Sequence, residues 1–425
     1  MKYIYADSMD HVDPGYDFLE DRYAPTRNPY WDDAFPHEIM GYAPYDGVLV
    51  SRGIVGDHRV SGKYSEAQAM RFRRVGAREF LRLNKPEFAN LSIFGDCGAF
   101  TYNKEDVPPY SPEDMAEFYH EGGFTHGCSV DHIIFDYDET LRGMEGGSNE
   151  ARRRYDITLE NASAFLKLAK NLPDFTPLGV IQGWSPDSMA EAARLLWKMG
   201  YRYLAVGGMV PLKTAQIKLA IGSIRDVIPH DARIHILGFA KADDIDSFAS
   251  LRITSFDTTS PLLRAFKDKK SNYYLPGRNC RLKYYTAIRI PQALENNKLM
   301  RLVKQGAVRQ EKLVDLERGA LEHLRAYDAG QATLDQTLDS VLAYGSLAEL
   351  GTPIESRPGA ATVDDLKERY LRTLHDRPWR LCDCAICKAL SVEVIIFRGS
   401  NRNKRRGIHN MGVFHAHVAG IGGSE

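Results

Sequence analysis

The sequence has little cysteine, no long apolar run and almost no net charge. Six cysteines in 425 residues are too few for a scaffold held together by disulfides. No apolar run approaches the roughly 18 residues that a membrane span needs, and the acidic, polar N-terminus does not resemble a signal peptide. These absences predict a globular protein of the reducing cytoplasm that has no membrane partner.

The net charge of −1 hides an uneven distribution. Residues 1–50 sum to −7, whereas residues 264–304 sum to +9 and contain four tyrosines. A second basic cluster, at 398–406, follows three closely spaced cysteines. Basic residues interleaved with aromatic ones suit phosphate contact and base stacking, although solvated helix faces explain one such run about equally well. Two clusters beside the cysteines favour a nucleic-acid partner. The predicted phosphate contacts are Arg264, Lys267, Lys269, Lys270, Arg402, Lys404, Arg405 and Arg406.

Short β-branched runs alternate with amphipathic segments through the first two thirds of the chain. Such alternation indicates parallel strands joined by crossover helices. Seven runs can be identified, which predicts an α/β fold of the (β/α)₈ TIM-barrel type with one strand unplaced; an open doubly wound sheet is the alternative. The predicted strands are 47–50, 91–94, 132–135, 178–181, 203–206, 234–237 and 253–256.

Three domains are expected from the change in composition along the chain. Residues 1–270 form the barrel with an acidic N-terminal segment. Residues 271–380 are charged and helix-prone, which predicts a basic, helical insertion. Residues 381–425 form a C-terminal zinc-binding subdomain packed on the barrel.

Acids, an amide and glycines follow the predicted strands. In a parallel barrel, groups at the carboxyl ends of the strands meet at one mouth, where active sites lie. Paired carboxylates can divide the work of nucleophile and general acid/base there, and glycines let a flat ligand approach the backbone. A single aspartate at such a position could equally cap the next helix, but three make this explanation insufficient. The residues are Asp96, Asp136, Gln182, Gly183, Gly207, Gly208 and Asp257.

The C-terminal cysteines have the spacing of a metal site. Cys382, Cys384 and Cys387 are followed, after 21 further residues, by His409 in the segment Gly407–Asn410. Three thiolates and one imidazole form a closed tetrahedral zinc site, which is the structural kind because no coordination position stays open. His415 and His417 are alternative fourth ligands.

These segments resemble the tRNA-guanine transglycosylase family over about residues 90–265 and 380–417. Each match is short, but their order on alternating strands and helices is specific. The matching segments are Phe94–Phe100, Phe135–Asp136, Val180–Gly183, Val206–Met209, Ser255–Asp257 and the Cys382, Cys384, Cys387, His409 motif.

The resemblance implies roles for individual residues. Asp257 would be the nucleophile that forms a covalent glycosyl-enzyme, and Asp96 would be the general acid/base. Asp136 would read the guanine edge. Gln182, Gly183, Gly207 and Gly208 would complete the base pocket, and the four C-terminal ligands would hold structural Zn²⁺.

Departures from the family pattern point to its DNA-directed branch, which exchanges guanine in DNA for a 7-deazaguanine such as preQ0. Cys97 and Ala99 replace the family's serine and glycine, and the T-R-x-G-R stretch expected after the nucleophile is absent. The long basic insertion is foreign to the compact bacterial tRNA enzymes. Accessory proteins for access to DNA are a further expected partner. Three alternatives remain: a tRNA substrate, a non-catalytic nucleic-acid-binding paralogue, and a metal-dependent barrel hydrolase.

Overall fold

A computed structural model describes residues 1–239, 241–277, 281–351 and 360–421. Eight parallel strands close into a barrel in sequential order, with β1 hydrogen-bonded to both β2 and β8. The fold is therefore the predicted (β/α)₈ barrel. The strands are β1 Lys2–Ala6, β2 Gly47–Ser51, β3 Ser92–Asp96, β4 His126–Cys128, β5 Thr176–Ile181, β6 Tyr203–Val206, β7 Arg233–Ile236 and β8 Ser255–Thr258.

Crossover helices connect the strands, and serine is the N-cap residue of several of these helices. Ser65, Ser111, Ser148 and Ser185 each accept a hydrogen bond from the backbone three residues on, which satisfies an N–H group that the helix itself leaves free. The amphipathic segment between β7 and β8 is a 3-10 helix, Ala242–Leu251. The α-helices through this region are α1 Pro36–Met40, α2 Arg52–Val55, α3 Glu66–Phe80, α4 Pro112–Gly122, α5 Asn149–Ala169, α6 Pro186–Met199 and α7 Thr214–Val227.

The structure differs from the predicted strands at β4 and supplies the eighth strand that the sequence did not reveal. The apolar run 132–135 forms no strand; β4 lies six residues earlier and consists of His126, Gly127 and Cys128. Its sequence has little strand preference, but its backbone pairs with β3 and β5 on either side. The missing eighth strand is β1, which begins at Lys2. The shift of β4 changes which acid follows that strand.

The barrel interior is a packed core. Inward-facing side chains from successive strands fill it, among them Ile4, Leu49, Phe94 and Val180, each at most 4% exposed. Because strand side chains alternate between faces, these positions point inward and the intervening ones pack against the helices. The interior below the mouth therefore leaves room only for side chains.

Contacts divide the chain into two compact units. One contains residues 1–9, 45–260 and 418–425, and the other contains residues 10–44 and 261–417. This division by contacts does not test the three predicted functional domains, which remain a prediction: residues 1–270, 271–380 and 381–425.

The second unit is mainly helical. It contains an antiparallel pair, β9 Tyr273–Pro276 with β10 Leu282–Tyr285, and a parallel pair, β11 Ile288–Arg289 with β12 Ile396–Phe397. In the described part of the chain no helix combines the length and the apolarity that a membrane crossing would require. The remaining helices are α8 Ser260–Lys267, α9 Asn297–Lys304, α10 Gln310–Asp328, α11 Leu334–Leu350, α12 Ala360–Asp376, α13 Ala385–Leu390 and α14 Gly399–Ile421.

Candidate active site and metal centre

A cavity of about 200 Å³ opens at the carboxyl ends of the barrel strands. Its wall brings together four carboxylates, Asp7, Asp96, Asp131 and Asp257, with the amide of Gln182. Backbone from glycines forms part of the remaining wall. The site therefore combines acid/base groups, a hydrogen-bonding edge and a surface that a flat ligand can approach. The lining glycines are Gly98, Gly207, Gly208 and Gly238.

Asp257 lies on β8 and is 6% exposed. Its Oδ1 accepts a hydrogen bond from the backbone N–H of Gly238 at 2.9 Å and lies 3.2 Å from Nε2 of His235. No group among the described residues donates to Oδ2. Oδ1 of Asp257 is therefore fixed by these two contacts, whereas Oδ2 is available to react.

Asp96 ends β3 opposite Ser51 of β2. Burial raises the pKa of Asp96 from its ordinary 3.8 to about 7; the charges of Asp257 and Asp131 add to this rise, and a hydrogen bond with Ser51 opposes it. The Oδ1 of Asp96 is buried and has no hydrogen-bond partner within the described ranges. A carboxyl group on a cavity wall, whose pKa lies near neutrality and whose Oδ1 is unpaired, is suited to proton transfer.

Replacing Asp96 by asparagine should raise stability at alkaline pH. The raised pKa keeps Asp96 protonated in the folded protein up to about pH 7, whereas the unfolded chain ionises near 3.8. The contribution of Asp96 to the free energy of unfolding is therefore complete below about pH 3.8, the pKa of the unfolded chain. It is lost as the pH rises from there to about 7, and the loss is at most about 4 kcal/mol. Asparagine removes this loss, so the advantage of Asp96→Asn in melting temperature should grow between about pH 4 and about pH 7 and then level off.

The exposed Asp231 in the loop before β7 supplies the control, because Asp231→Asn should show no such growth. An advantage for Asp96→Asn that stays constant with pH would mean that Asp96 is already ionised throughout this range.

Asp131 and Gln182 form a polar edge on another side of the cavity. Gln182 Nε2 donates to Asp131 Oδ2 at 2.7 Å, and its Oε1 accepts from the backbone N–H of Ile134 at 3.1 Å. The Cys97 thiol donates to Asp131 Oδ1 at 3.1 Å, and the Tyr102 hydroxyl donates to Cys97 at 2.8 Å. Burial raises the pKa of Asp131. This edge is rigid because each side chain in it is held by another.

The glycines beside this edge leave no room for side chains. A Cβ at residue 207 would lie 2.3 Å from Gln182 Nε2, and Gly208 has a φ of +74°. Gly183, predicted as part of the pocket, does not line the cavity; a Cβ there would lie 2.7 Å from Met189 Cγ on α6. Gly183 thus serves helix packing.

The structure does not bring Asp136, the predicted reader of the guanine edge, to this cavity. Asp136 is exposed, lines a separate hollow and accepts a hydrogen bond from the hydroxyl of Ser148, the N-cap of α5. The acid that lines the cavity here is Asp131, which follows the true end of β4 by three residues. Sequence reasoning missed Asp131 because the apolar run after it looked more like a strand than His126–Cys128 does. His235 and Ser51 were also missed, since neither follows a strand as an acid or amide.

The second unit contains a cluster of metal-ligand atoms. The Sγ atoms of Cys382, Cys384 and Cys387 lie 3.6, 3.4 and 3.4 Å from Nδ1 of His409, and all four ligand atoms lie within 4.8 Å of one another. His409 Nε2 donates to the carbonyl of Tyr274 at 2.8 Å, so that Nδ1, on the side of the three sulfurs, is the nitrogen that can bind a metal. The predicted four residues can therefore hold a metal ion. His415 and His417 do not belong to the cluster.

Tyrosines from the basic segment support this cluster. The Tyr273 ring stacks on His409 with centroids 4.3 Å apart, and its hydroxyl lies 3.2 Å from Cys387 Sγ. Both Tyr273 and Tyr274 are fully buried. They cannot stack on nucleic-acid bases, contrary to what their place in the sequence suggested.

The second basic cluster is largely internal. Arg402 and Arg406 are fully buried and Arg405 is 6% exposed, so the prediction of phosphate contacts there is corrected for these three. Arg402 forms ion pairs with Asp21 and Glu393. Buried arginines need such partners because an unpaired buried charge is very costly. Arg406 donates to backbone carbonyls, including those of Val394 and Ile396, and Lys404 donates to the carbonyl of His11.

The first basic cluster is more accessible. Lys267, Lys269 and Lys270 are exposed, and Arg264 is half-buried. Lys269 and Lys270 form ion pairs with Glu349 and Asp365, at 3.8 and 3.3 Å, while keeping about two thirds of their side-chain surface exposed. Pairs this exposed contribute little to stability and can be exchanged for phosphate. Arg278, which also belongs to this cluster, lies outside the described residues.

A closed parallel barrel with four acids and an amide at its mouth defines an enzyme of the (β/α)₈ class, equipped for nucleophilic and acid/base chemistry. No known family model matches the chain. It is 42% identical to a DNA-guanine transglycosylase of Salmonella montevideo over 418 residues, which cover 98% of this chain and 96% of that protein. The chain belongs to the DNA-guanine transglycosylase family, within the superfamily of the tRNA-guanine transglycosylases.

Proposed function

We propose that this protein exchanges guanine in DNA for a 7-deazaguanine base such as preQ0 through a covalent glycosyl-enzyme. The observation that carries the proposal is that Asp96, Asp131, Gln182 and Asp257 meet in one cavity of a chain so similar to a DNA-guanine transglycosylase. Transglycosylation needs a nucleophile, a proton acceptor and a site that reads the heterocycle, and the cavity offers all three.

In the first half-reaction, Oδ2 of Asp257 attacks C1′ of a deoxyguanosine. The bond between C1′ and N9 of guanine breaks and its electron pair leaves with guanine, whose N9 takes the proton of the protonated Asp96 carboxyl. An ester then joins the sugar to the enzyme, and Asp96 is left as the carboxylate. The two donors on Oδ1 orient the carboxylate without occupying the attacking oxygen.

In the second half-reaction, the carboxylate of Asp96 takes the N9 proton of the incoming base. N9 then attacks C1′ and the ester bond to Asp257 breaks, which regenerates the nucleophile. The proton stays on Asp96, whose pKa of about 7 lets it take and release a proton near neutral pH.

Asp131 and Gln182 are proposed to hold the polar edge of the heterocycle. Guanine and 7-deazaguanines share the N1–H and the exocyclic amine, which are donors that a carboxylate can accept together. Because the edge is braced by Cys97 and Tyr102, it is already shaped for the base before binding. The backbone of Gly207 and Gly208 would contact the flat face. In this proposal Asp131 takes the role that the sequence assigned to Asp136.

The nucleotide must leave the base stack to reach a cavity at a barrel mouth, so either base flipping or a single-stranded substrate is required. Phosphate contacts are proposed for the exposed lysines of the first basic cluster. They are also proposed for a hollow of about 470 Å³ that is lined by Lys270, Lys283, Arg369 and Arg372. Tyr285 lies in the same hollow, with the Arg372 guanidinium 5.0 Å from its ring centre.

The Cys382, Cys384, Cys387 and His409 cluster is proposed to hold Zn²⁺ as a structural ion. Its donor set is the closed Cys₃His type, which leaves no position for water. Its reduced cysteines and the DNA substrate both fit the cytoplasm, which we propose as the compartment.

Incubation with radiolabelled guanine or preQ0 tests the function, and the polymer that becomes labelled decides between DNA and tRNA. We expect label in DNA and none in tRNA. Plasmid, heat-denatured plasmid and a single-stranded oligonucleotide should be compared, because single strands remove the need for an accessory protein that opens the duplex. Label in tRNA alone would establish the tRNA alternative, and label in neither polymer would favour the non-catalytic paralogue.

A further inference from the structure

A row of buried hydrogen-bonded side chains reaches Asp257 from the barrel interior. The hydroxyls of Tyr203 on β6 and Ser255 on β8 lie 2.6 Å apart, and Ser255 Oγ lies 2.6 Å from His235 Nδ1 on β7. His235 Nε2 lies 3.2 Å from Asp257 Oδ1. All three supporting residues are at most 3% exposed. The chemistry described above uses His235 only through its contact with Asp257, and it does not involve Tyr203 or Ser255.

The strands explain why these groups meet. Ser255 and Asp257 are two residues apart on β8 and so face the same side, the barrel interior. His235 is paired directly with Ser255 in the register of β7 and β8. His235 also stacks on the Phe94 ring at 5.1 Å, which fixes the plane of the imidazole.

Only one direction of the hydrogen bonds gives every proton an acceptor. A carboxylate can only accept, so His235 Nε2 carries the proton given to Asp257, and Nδ1 of the neutral ring accepts from Ser255. Ser255 then accepts from Tyr203, whose pKa is raised to about 12 by burial, so that its hydroxyl stays a donor. A protonated His235 would reverse the row and leave the Tyr203 hydroxyl proton without an acceptor among the described residues.

We propose that Tyr203, Ser255 and His235 form a positioning relay for the nucleophile. The relay holds His235 neutral with its proton on Nε2, and His235 together with the Gly238 N–H prevents the Asp257 carboxylate from rotating. Oδ2 is then presented to C1′ in one orientation. A neutral donor also leaves the carboxylate more nucleophilic than a cationic one would. This inference rests on the proposed function, since it concerns the same carboxylate.

The test measures how fast the covalent DNA adduct forms in a single turnover at saturating oligonucleotide, together with KM for DNA. His235→Leu keeps the bulk of the side chain but removes the donor, and should slow adduct formation by about 100-fold, the cost of a misplaced reacting group. KM should stay within about three-fold, because the relay does not contact DNA. His235→Gln restores an N–H near the Nε2 position and should recover at least about ten-fold of the loss.

The matched control is His126→Leu. The His126 ring stacks on the same Phe94 at 4.3 Å, and among the described residues its hydrogen bond is with Thr125 rather than with Asp257. This variant should form adduct at the wild-type rate. Equal losses in the two leucine variants would reduce the role of His235 to packing, and a wild-type rate in His235→Leu would overturn the relay outright.

Ser255→Ala keeps the test decisive if His235→Leu does not fold. It removes one hydroxyl, leaves His235 Nδ1 without its donor and should lower the adduct rate by about ten-fold with KM unchanged. An unchanged adduct rate would refute the relay. Wild-type protein that forms no adduct at all would instead refute the proposed function, so the two failures are distinguishable.

Discussion

Asp257→Asn should leave a folded protein that forms no covalent adduct with DNA and exchanges no base. Asparagine keeps the shape of the side chain and an Oδ1 that accepts from Gly238 and His235, so the local structure should persist. It has no anionic oxygen to attack C1′. Removing the nucleophile of a covalent mechanism costs on the order of 10⁴-fold or more. Denaturing gel electrophoresis of the enzyme with labelled DNA, in the absence of incoming base, measures the adduct.

Asp231→Asn, in an exposed loop at the opposite ends of the strands, is the matched control and should retain both the adduct and base exchange. Melting temperatures of the two variants establish that both are folded. Base incorporation by Asp257→Asn at the wild-type rate would exclude Asp257 as the nucleophile and direct attention to Asp96 or Asp131 instead.

Cys384→Ser should lose bound zinc and lower the melting temperature by roughly 10 °C or more, because metal binding to such a site contributes directly to folding. Serine is a good helix N-cap, so the variant keeps the capping role that the Cys384 sulfur has at the start of α13. The loss can therefore be ascribed to the metal ligand. Zinc per chain, measured by elemental analysis, and thermal unfolding test this prediction.

Asp383→Ser places the same residue one position away, on a side chain that is 98% exposed and 3.6 Å from Lys388. It should keep one zinc per chain and the wild-type melting temperature. If Cys384→Ser matched it in both measurements, the four residues would not form a structural metal site.

Much of the barrel could be predicted because its signals are local. Short β-branched runs alternating with amphipathic segments identified six of the eight strands, and the ends of those strands predicted Asp96, Gln182 and Asp257 as cavity residues. The failure at β4 has a physical cause. Three residues of weak strand preference become a strand because β3 and β5 offer backbone hydrogen bonds on both sides, which no local pattern reveals.

The basic residues show the same limit more sharply. A run containing Arg402, Arg405 and Arg406 suggests a phosphate-binding surface, yet Arg402 is fully buried and bound to Asp21, 381 positions away in the sequence. The cysteine motif succeeded where this failed because three of its ligands lie within six positions and their spacing alone implies a site.

The sequence by itself determined the fold class, the nucleophile and acid/base candidates, and the four candidate metal ligands, because periodicity and motif spacing are properties of neighbouring residues. Only the tertiary structure decided which acid enters the cavity beside Gln182, which positive charges face solvent, and that His235 lies against Asp257. Each of these three outcomes depends on contacts between segments that are distant in the sequence. The low net charge and the few cysteines are properties of the whole chain, so they carry no information about such contacts.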